Sequence, residues 1–187
     1  MSLLFNKILA DDLYRYEGEG NKKFSVRMKY LFFVPGFTYI FFFRHASQAR
    51  NVFSRFFFSF FLQLTKYITH IQIPVGTKIA RGFRIVHFGH IVVNPGAVIG
   101  ENFNISQGCL IGNAQGKREG VPFIGNNVCM NANSVIIGNA HIGNDVLIAP
   151  GAFVNFDVPD NSIVIGNPGK IIPRDESPTA KYIVFPI

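Results

Sequence analysis

From residue 73 onward, an aliphatic side chain returns at every sixth position of this 187-residue chain. The positions are Ile73, Ile79 and Ile85, then Val93, Ile99, Ile105 and Ile111. After a break from Gly112 to Phe123 they continue as Ile124, Met130, Ile136, Ile142, Ile148 and Val154. A period of six excludes an α-helix, which repeats about every 3.6 residues, and is too short for an array of hairpins. It fits one short strand plus one turn, wound as a coil. Three such sides make one turn of a triangular prism, with each aliphatic residue pointing inward onto the one a coil below. Gly follows several of these positions (Gly100, Gly112, Gly125, Gly143). Asn is frequent near the corners (Asn94, Asn102, Asn126, Asn127, Asn139, Asn144). Both residues tolerate the positive φ that tight corners demand. Backbone hydrogen bonds would then run from coil to coil as a continuous ladder. The chain is therefore expected to be mainly β: a parallel β-helix over residues 71–172, preceded by a helical segment (1–70) and followed by a tail (173–187). Pro159 and Pro168 are expected to stop the coil, and the apolar end Tyr182–Ile187 to fold back as a strand or lie against a neighbour.

The beat slips once. Between Ile85 and Val93 lie two residues too many, in the stretch Ile85-Val86-His87-Phe88-Gly89-His90-Ile91-Val92-Val93-Asn94. A slip lifts side chains out of the regular prism wall, and this one carries two histidines. Imidazole is the side chain best suited to accept and return a proton near neutral pH. His87 is the candidate base, and His90 a neighbour that shapes an acceptor pocket. His141 falls at a turn of the repeat and reads as structural; His45 and His70 carry no signal.

The helical segment is a different material. Thirteen of the 21 Phe lie between Phe24 and Phe61. A short helix is expected at about 3–16, then a turn at Gly18–Asn21. Pro35 is placed to open the second of two helical pieces. Phe56–Leu64 is a further apolar block. Neither apolar block reaches the roughly 18–20 residues needed to span a bilayer. Charge is unevenly spread: residues 20–100 contain eleven Lys or Arg and no Asp or Glu, while residues 101–187 carry five cations against seven acids. The cations Lys22, Lys23, Arg27, Lys29, Arg44, Arg50, Arg55 and Lys66 border the apolar blocks, so peripheral membrane contact through 24–70 is expected. Solid blocks of Phe do not resemble the separate stacking platforms of single-strand nucleic-acid binders, so no nucleic acid is expected as partner. The first residues show no basic leader followed by an apolar run, so a cytoplasmic location, on the inner face of the membrane if lipid is contacted, is the default. Cys109 and Cys129 are too few for a disulfide framework and read as packing residues. No His, Cys, Asp or Glu cluster has metal-ligand spacing, so no metal is expected.

Four stretches resemble the left-handed β-helix, or hexapeptide-repeat, acyltransferases: His87–Asn94, Ala97–Asn102, Asn104–Gly108, and Val158-Pro159 through Gly166-Asn167-Pro168-Gly169-Lys170. Within them, residues 71–172 resemble the serine acetyltransferase branch and its relatives that O-acetylate surface polysaccharides. The resemblance implies a homotrimer, with acetyl-CoA along the cleft between two prisms and His87 as catalytic base. It implies CoA contacts at Gly112, Asn113, Ala132, Asn133, Pro150, Gly151 and Lys170. Two acidic positions of serine acetyltransferases read Gln72 and Val86 here. Gln72 can accept a bond from the imidazole but supplies no charge. A family histidine in the following loop is missing, and Lys117 and Arg118 stand there as substrate-binding candidates. These departures shift the expected acceptor toward a sugar hydroxyl in surface-polysaccharide synthesis. The alternatives are serine O-acetyltransferase of cysteine biosynthesis and a β-helix scaffold without chemistry.

Overall fold

The computed structural model describes residues 6–187. Four helices come first: α1 (Lys7–Glu17), α2 (Phe24–Phe33), α3 (Pro35–Gln48) and α4 (Val52–Thr69), with a 3₁₀ turn at Gly18–Lys22 between α1 and α2. The expected first helix forms from residue 7, its residues 3–5 lying outside the described residues. Asn6 caps α1 by accepting the Leu9 N–H, and Asn51 caps α4 by accepting the Ser54 N–H. Pro35 opens α3, where its missing N–H costs nothing.

From Ile71 the chain coils into fifteen short strands arranged as three sheets. Consecutive coils pair in parallel: Ile79 beside Ile99, Ile99 beside Ile124, and Ile85 beside Ile105, which in turn lies beside Met130. The inward residues are buried from one end to the other, Ile91, Ile105, Ile111, Ile124, Ile136 and Ile148 completely. Of the Asn and Gly residues expected at corners, Asn102 and Asn127 take the left-handed region, whereas Asn94, Asn126, Asn139, Asn144, Gly100, Gly112, Gly125 and Gly143 do not. Asn102, Asn127 and Asp145 stack at φ of 56°, 55° and 55°, Asn102 Nδ2 donating to Asn127 Oδ1 at 3.0 Å and Asn127 Nδ2 to Asp145 Oδ1 at 3.3 Å. Beside them, Asn126 accepts the Glu101 N–H and Asn144 the Asn126 N–H, both at 2.8 Å. Gly125 lies inside this second stack, where a Cβ would come 2.7 Å from the Gly143 carbonyl oxygen. Gly125→Ala is therefore expected to lower stability by about 1–3 kcal/mol, as overpacking does; a urea midpoint equal to the wild type would show that the coils can part there at no cost.

Pro159 does not end the coil. Val158 still bridges Ile142, and Ser162–Ile165 adds a strand parallel to Leu147–Ile148. Pro159 sits at a corner, outside any strand, so its missing N–H breaks no ladder bond. The sheet ends instead when Lys170–Pro173 returns antiparallel on Ser162–Ile165. His141 likewise lies on a strand rather than a turn.

The tail forms no strand and lies on its own chain. Asn104 Nδ2 donates to the Tyr182 carbonyl, the Ile187 N–H to Asn102 Oδ1, and the buried Arg15 of α1 to both the Val184 carbonyl and Asn104 Oδ1. Helices are joined to the first coil by polar anchors. The Asp12 carboxylate accepts from Arg44 (2.7 and 3.1 Å) and from the Phe83 N–H (2.8 Å), while Arg44 also donates to the Ile79 and Ala80 carbonyls. Tyr39 and Tyr16 each lay their hydroxyl across one residue of the first coil, donating to its carbonyl and accepting its N–H, at Ile73 and Ile85 respectively.

Candidate active site

The slip forms where the first coil is handed to the second. Ile85 points inward, its peptide groups both held by Tyr16. The Val86 N–H donates to the Ile105 carbonyl at 2.8 Å, and the next link between the coils is the Gly108 N–H to the Gly89 carbonyl, also 2.8 Å. His87 and Phe88 lie between these links. Gly89 and His90 then take φ of 119° and 52° to turn the chain back, and Ile91 resumes the core. The two additional residues are thus absorbed as a bulge, which leaves the His87 side chain exposed on the prism edge.

The helices close one side of this bulge. Gly36 at the start of α3 packs so closely that a Cβ would sit 3.0 Å from Ile85 Cγ2 and 3.2 Å from its carbonyl oxygen. The result is a cleft of about 280 Å³ between Phe33, Val34 and Pro35 on one side and Val86, His87 and Phe88 on the other. Among the described residues His87 is its only titratable lining residue. Its imidazole makes no hydrogen bond among the described residues, so both ring nitrogens are available to partners from outside.

The expected orienting partner is not delivered. Gln72 pairs in register with Val92 and lines a different cleft, with Tyr39, Gln63 and Lys66. No hydrogen bond joins it to His87 among the described residues. Gln107 lies beside the bulge: its Cβ is 3.9 Å from where a Cβ on Gly89 would be, and its Oε1 is buried without a partner among the described residues. His90 turns its ring onto His70, parallel to within 3° at 5.0 Å.

Arg118 is committed elsewhere. It donates to Asp157 (2.9 Å) and to the Asn139 carbonyl (3.1 Å), pinning the 113–122 loop to the coils beyond it. The His141 N–H on the same oxygen, and then Arg118, hold the Asp157 carboxyl below the usual range. Lys117 is exposed beside it at the loop tip. Burial raises both thiols, that of Cys129 to about 12, so neither supplies a nucleophile near neutral pH.

The residues matched to CoA fall on two neighbouring edges. Asn133 and Gly151 continue the edge of His90, one coil apart, joined through Asn133 N–H to Gln107 and Gly151 N–H to Ala132. Gly112 and Asn113 begin the loop at the far side of the same face, and Lys170 is exposed on the last strand. Their chemistry fits an extended chain lying on the prism: a Cβ on Gly151 would meet nothing within 4 Å, and Pro150 and Asn133 are exposed around it. Among the described residues no group of three or more His, Cys, Asp or Glu could hold a metal ion.

No family model matches the chain. Over 116 residues it is 35% identical to the serine acetyltransferase of Helicobacter pylori, covering 60% of this chain and 67% of that protein. The chain belongs to the serine acetyltransferase family. The serine acetyltransferase of Synechococcus elongatus is 34% identical over 113 residues, which are 59% of this chain and 46% of the relative. The chain thus matches about half to two thirds of the length of these curated relatives. A crystal structure of the Brucella abortus serine acetyltransferase in complex with coenzyme A superposes with a TM-score of 0.72 at 26% identity, over 91% of this chain and 68% of the other. The coil described above is accordingly the left-handed β-helix of that family.

Tyr16, Gly36 and the junction of α2 and α3 are parts of the site that the sequence did not point to. Tyr16 meets Ile85 across 69 positions, and no local pattern marks such a pairing. Gln107 lies in a motif stretch, but nothing in its spacing shows that its carbonyl is buried.

Proposed function

We propose that the chain is an acetyl-CoA-dependent O-acetyltransferase with His87 as general base and L-serine as acceptor. The observation that carries the chemistry is His87 itself: an exposed imidazole, without a hydrogen bond among the described residues, raised on a bulge that lines a cleft. The names of the family relatives support serine. Bound acetyl-CoA supplies an activated acyl group. His87 takes the proton from the acceptor hydroxyl as its oxygen attacks the thioester carbonyl, and returns it to the departing thiolate. Backbone N–H groups at the prism corner would receive the negative charge that develops on the carbonyl oxygen.

The cleft favours a second acceptor, a sugar hydroxyl. Serine is a zwitterion and asks for charged partners. The lining Phe33, Val34, Pro35, Val86 and Phe88 offers none, and suits a neutral ring stacked on aromatic carbon. A homotrimer is part of the proposal: Val86, Val92, Phe123 and Ile165 are large apolar residues exposed on the prism, in keeping with burial against other copies. Such an enzyme would work in the cytoplasm, where acetyl-CoA is available.

Release of free CoA in the presence of L-serine, set against neutral glycans, tests the reading. Turnover with serine above the rate of acetyl-CoA alone is the expected result. Turnover with a glycan and none with serine would replace the acceptor, and no turnover with either would remove the enzymatic reading.

A further inference from the structure

The outward face of α4 is the largest feature that acetyl transfer leaves unused. Phe53, Phe56, Phe57, Phe60, Tyr67 and Ile68 recur at helical spacing and fall on one stripe. In a helix packed on a core such a stripe points inward. Here it points away from the protein, from Phe60 at 53% exposed to Phe53 at 87%. The opposite side of the helix is the one that packs, with Phe58 stacked on His45 at 4.5 Å and Phe61 on Phe42 at 5.4 Å.

We propose that this stripe docks the protein on an anionic lipid surface, with α4 lying in the plane of the headgroups. The charge around it selects that occupant. Residues 20–100 contain no Asp or Glu, so α2, α3 and α4 carry no acid at all. Arg50 and Arg55 are exposed at the start of α4, and Arg55 and Lys66 lie on the flank of the helix between the stripe and its packed side. A second copy docking by two-fold symmetry would set this stripe against itself and bring two basic flanks together with no acid on these helices to offset them. Lipid phosphates are complementary instead, and aromatic rings settle among headgroups and upper acyl chains. Eighteen helical residues extend about 27 Å, enough to lie along the surface. Contact is with the interface and not across it. No single described helix is long and apolar enough to cross a membrane, and the bent pair α2–α3 buries Phe37, Tyr39, Ile40 and Phe43 inside the protein.

The test is sedimentation of the full-length protein with vesicles of phosphatidylcholine, with or without phosphatidylglycerol. Binding to the anionic vesicles that weakens as salt rises is expected. The triple variant Phe53→Ser/Phe56→Ser/Phe60→Ser should bind at least about tenfold more weakly. These three side chains are more than half exposed, so the variant should keep its circular dichroism and melting temperature. Binding that survives the triple substitution, or that is equal on neutral vesicles, would overturn the proposal. So would a wild type that ignores vesicles while the variant alone drops to a smaller assembly on size exclusion, which would assign the stripe to a second copy.

Discussion

Replacing His87 with Ala should lower kcat about 100- to 10,000-fold, the range a positioned general base contributes. KM for acetyl-CoA should change little, because the residues matched to CoA lie on the coils above and across the next face rather than at the bulge. The fold should be unaffected. His87 is exposed, makes no hydrogen bond among the described residues, and lies between two of the hydrogen bonds that join its coil to the next. Circular dichroism and assembly size should therefore match the wild type. Free-CoA release measured on both proteins checks the result. A variant retaining more than about a tenth of the wild-type kcat would take the base role away from His87.

The second large effect is structural. Asp12→Ala should destabilise the protein by about 3–5 kcal/mol, the cost of removing one partner from a buried ion pair. Asp12 is fully buried and the Arg44 side chain is 4% exposed. Burial pushes the Asp12 carboxyl upward, against the pull of Arg44 and of the Phe83 and Gly82 N–H groups. Its removal leaves a cation without its counter-charge inside the protein and strips the Phe83 N–H of its acceptor. A shift of the urea midpoint reads this out. A double variant, Asp12→Leu with Arg44→Met, should recover part of the loss, because an apolar pair leaves no buried charge although the Phe83 N–H still lacks its acceptor. A single variant within about 0.5 kcal/mol of wild type would show that the pair does not hold α1 and α3 to the first coil.

The slip shows how far the site could be read in advance. Two surplus residues between Ile85 and Val93 are visible as a break in a count, and the bulge they make is where His87 stands exposed. That the cleft beside it is walled by Phe33, Val34 and Pro35 was not visible, because those residues lie some fifty positions upstream and carry no motif. Gln72 was expected to orient the base because it stands where the resembling serine acetyltransferases carry an acid. Its side chain instead lines a cleft with Tyr39 and Lys66. Arg118, expected at substrate, is taken by Asp157, a partner 39 positions away. Repeat spacing sets which residues share a coil; it does not set which way an exposed side chain turns.

The sequence by itself determined the prism, its inward aliphatic stacks, its Asn corners and the location of the bulge. Each follows from spacing between near neighbours and from backbone preferences that every residue carries alone. The tertiary structure decided what closes around the bulge, which cations are already paired, and which face of α4 is left outside. Those outcomes depend on contacts between distant segments: Tyr16 on Ile85, Arg44 on Asp12, and Phe58 and Phe61 on α3. A helix apolar on both sides can bury only one against a single layer of neighbours, and only packing selects which.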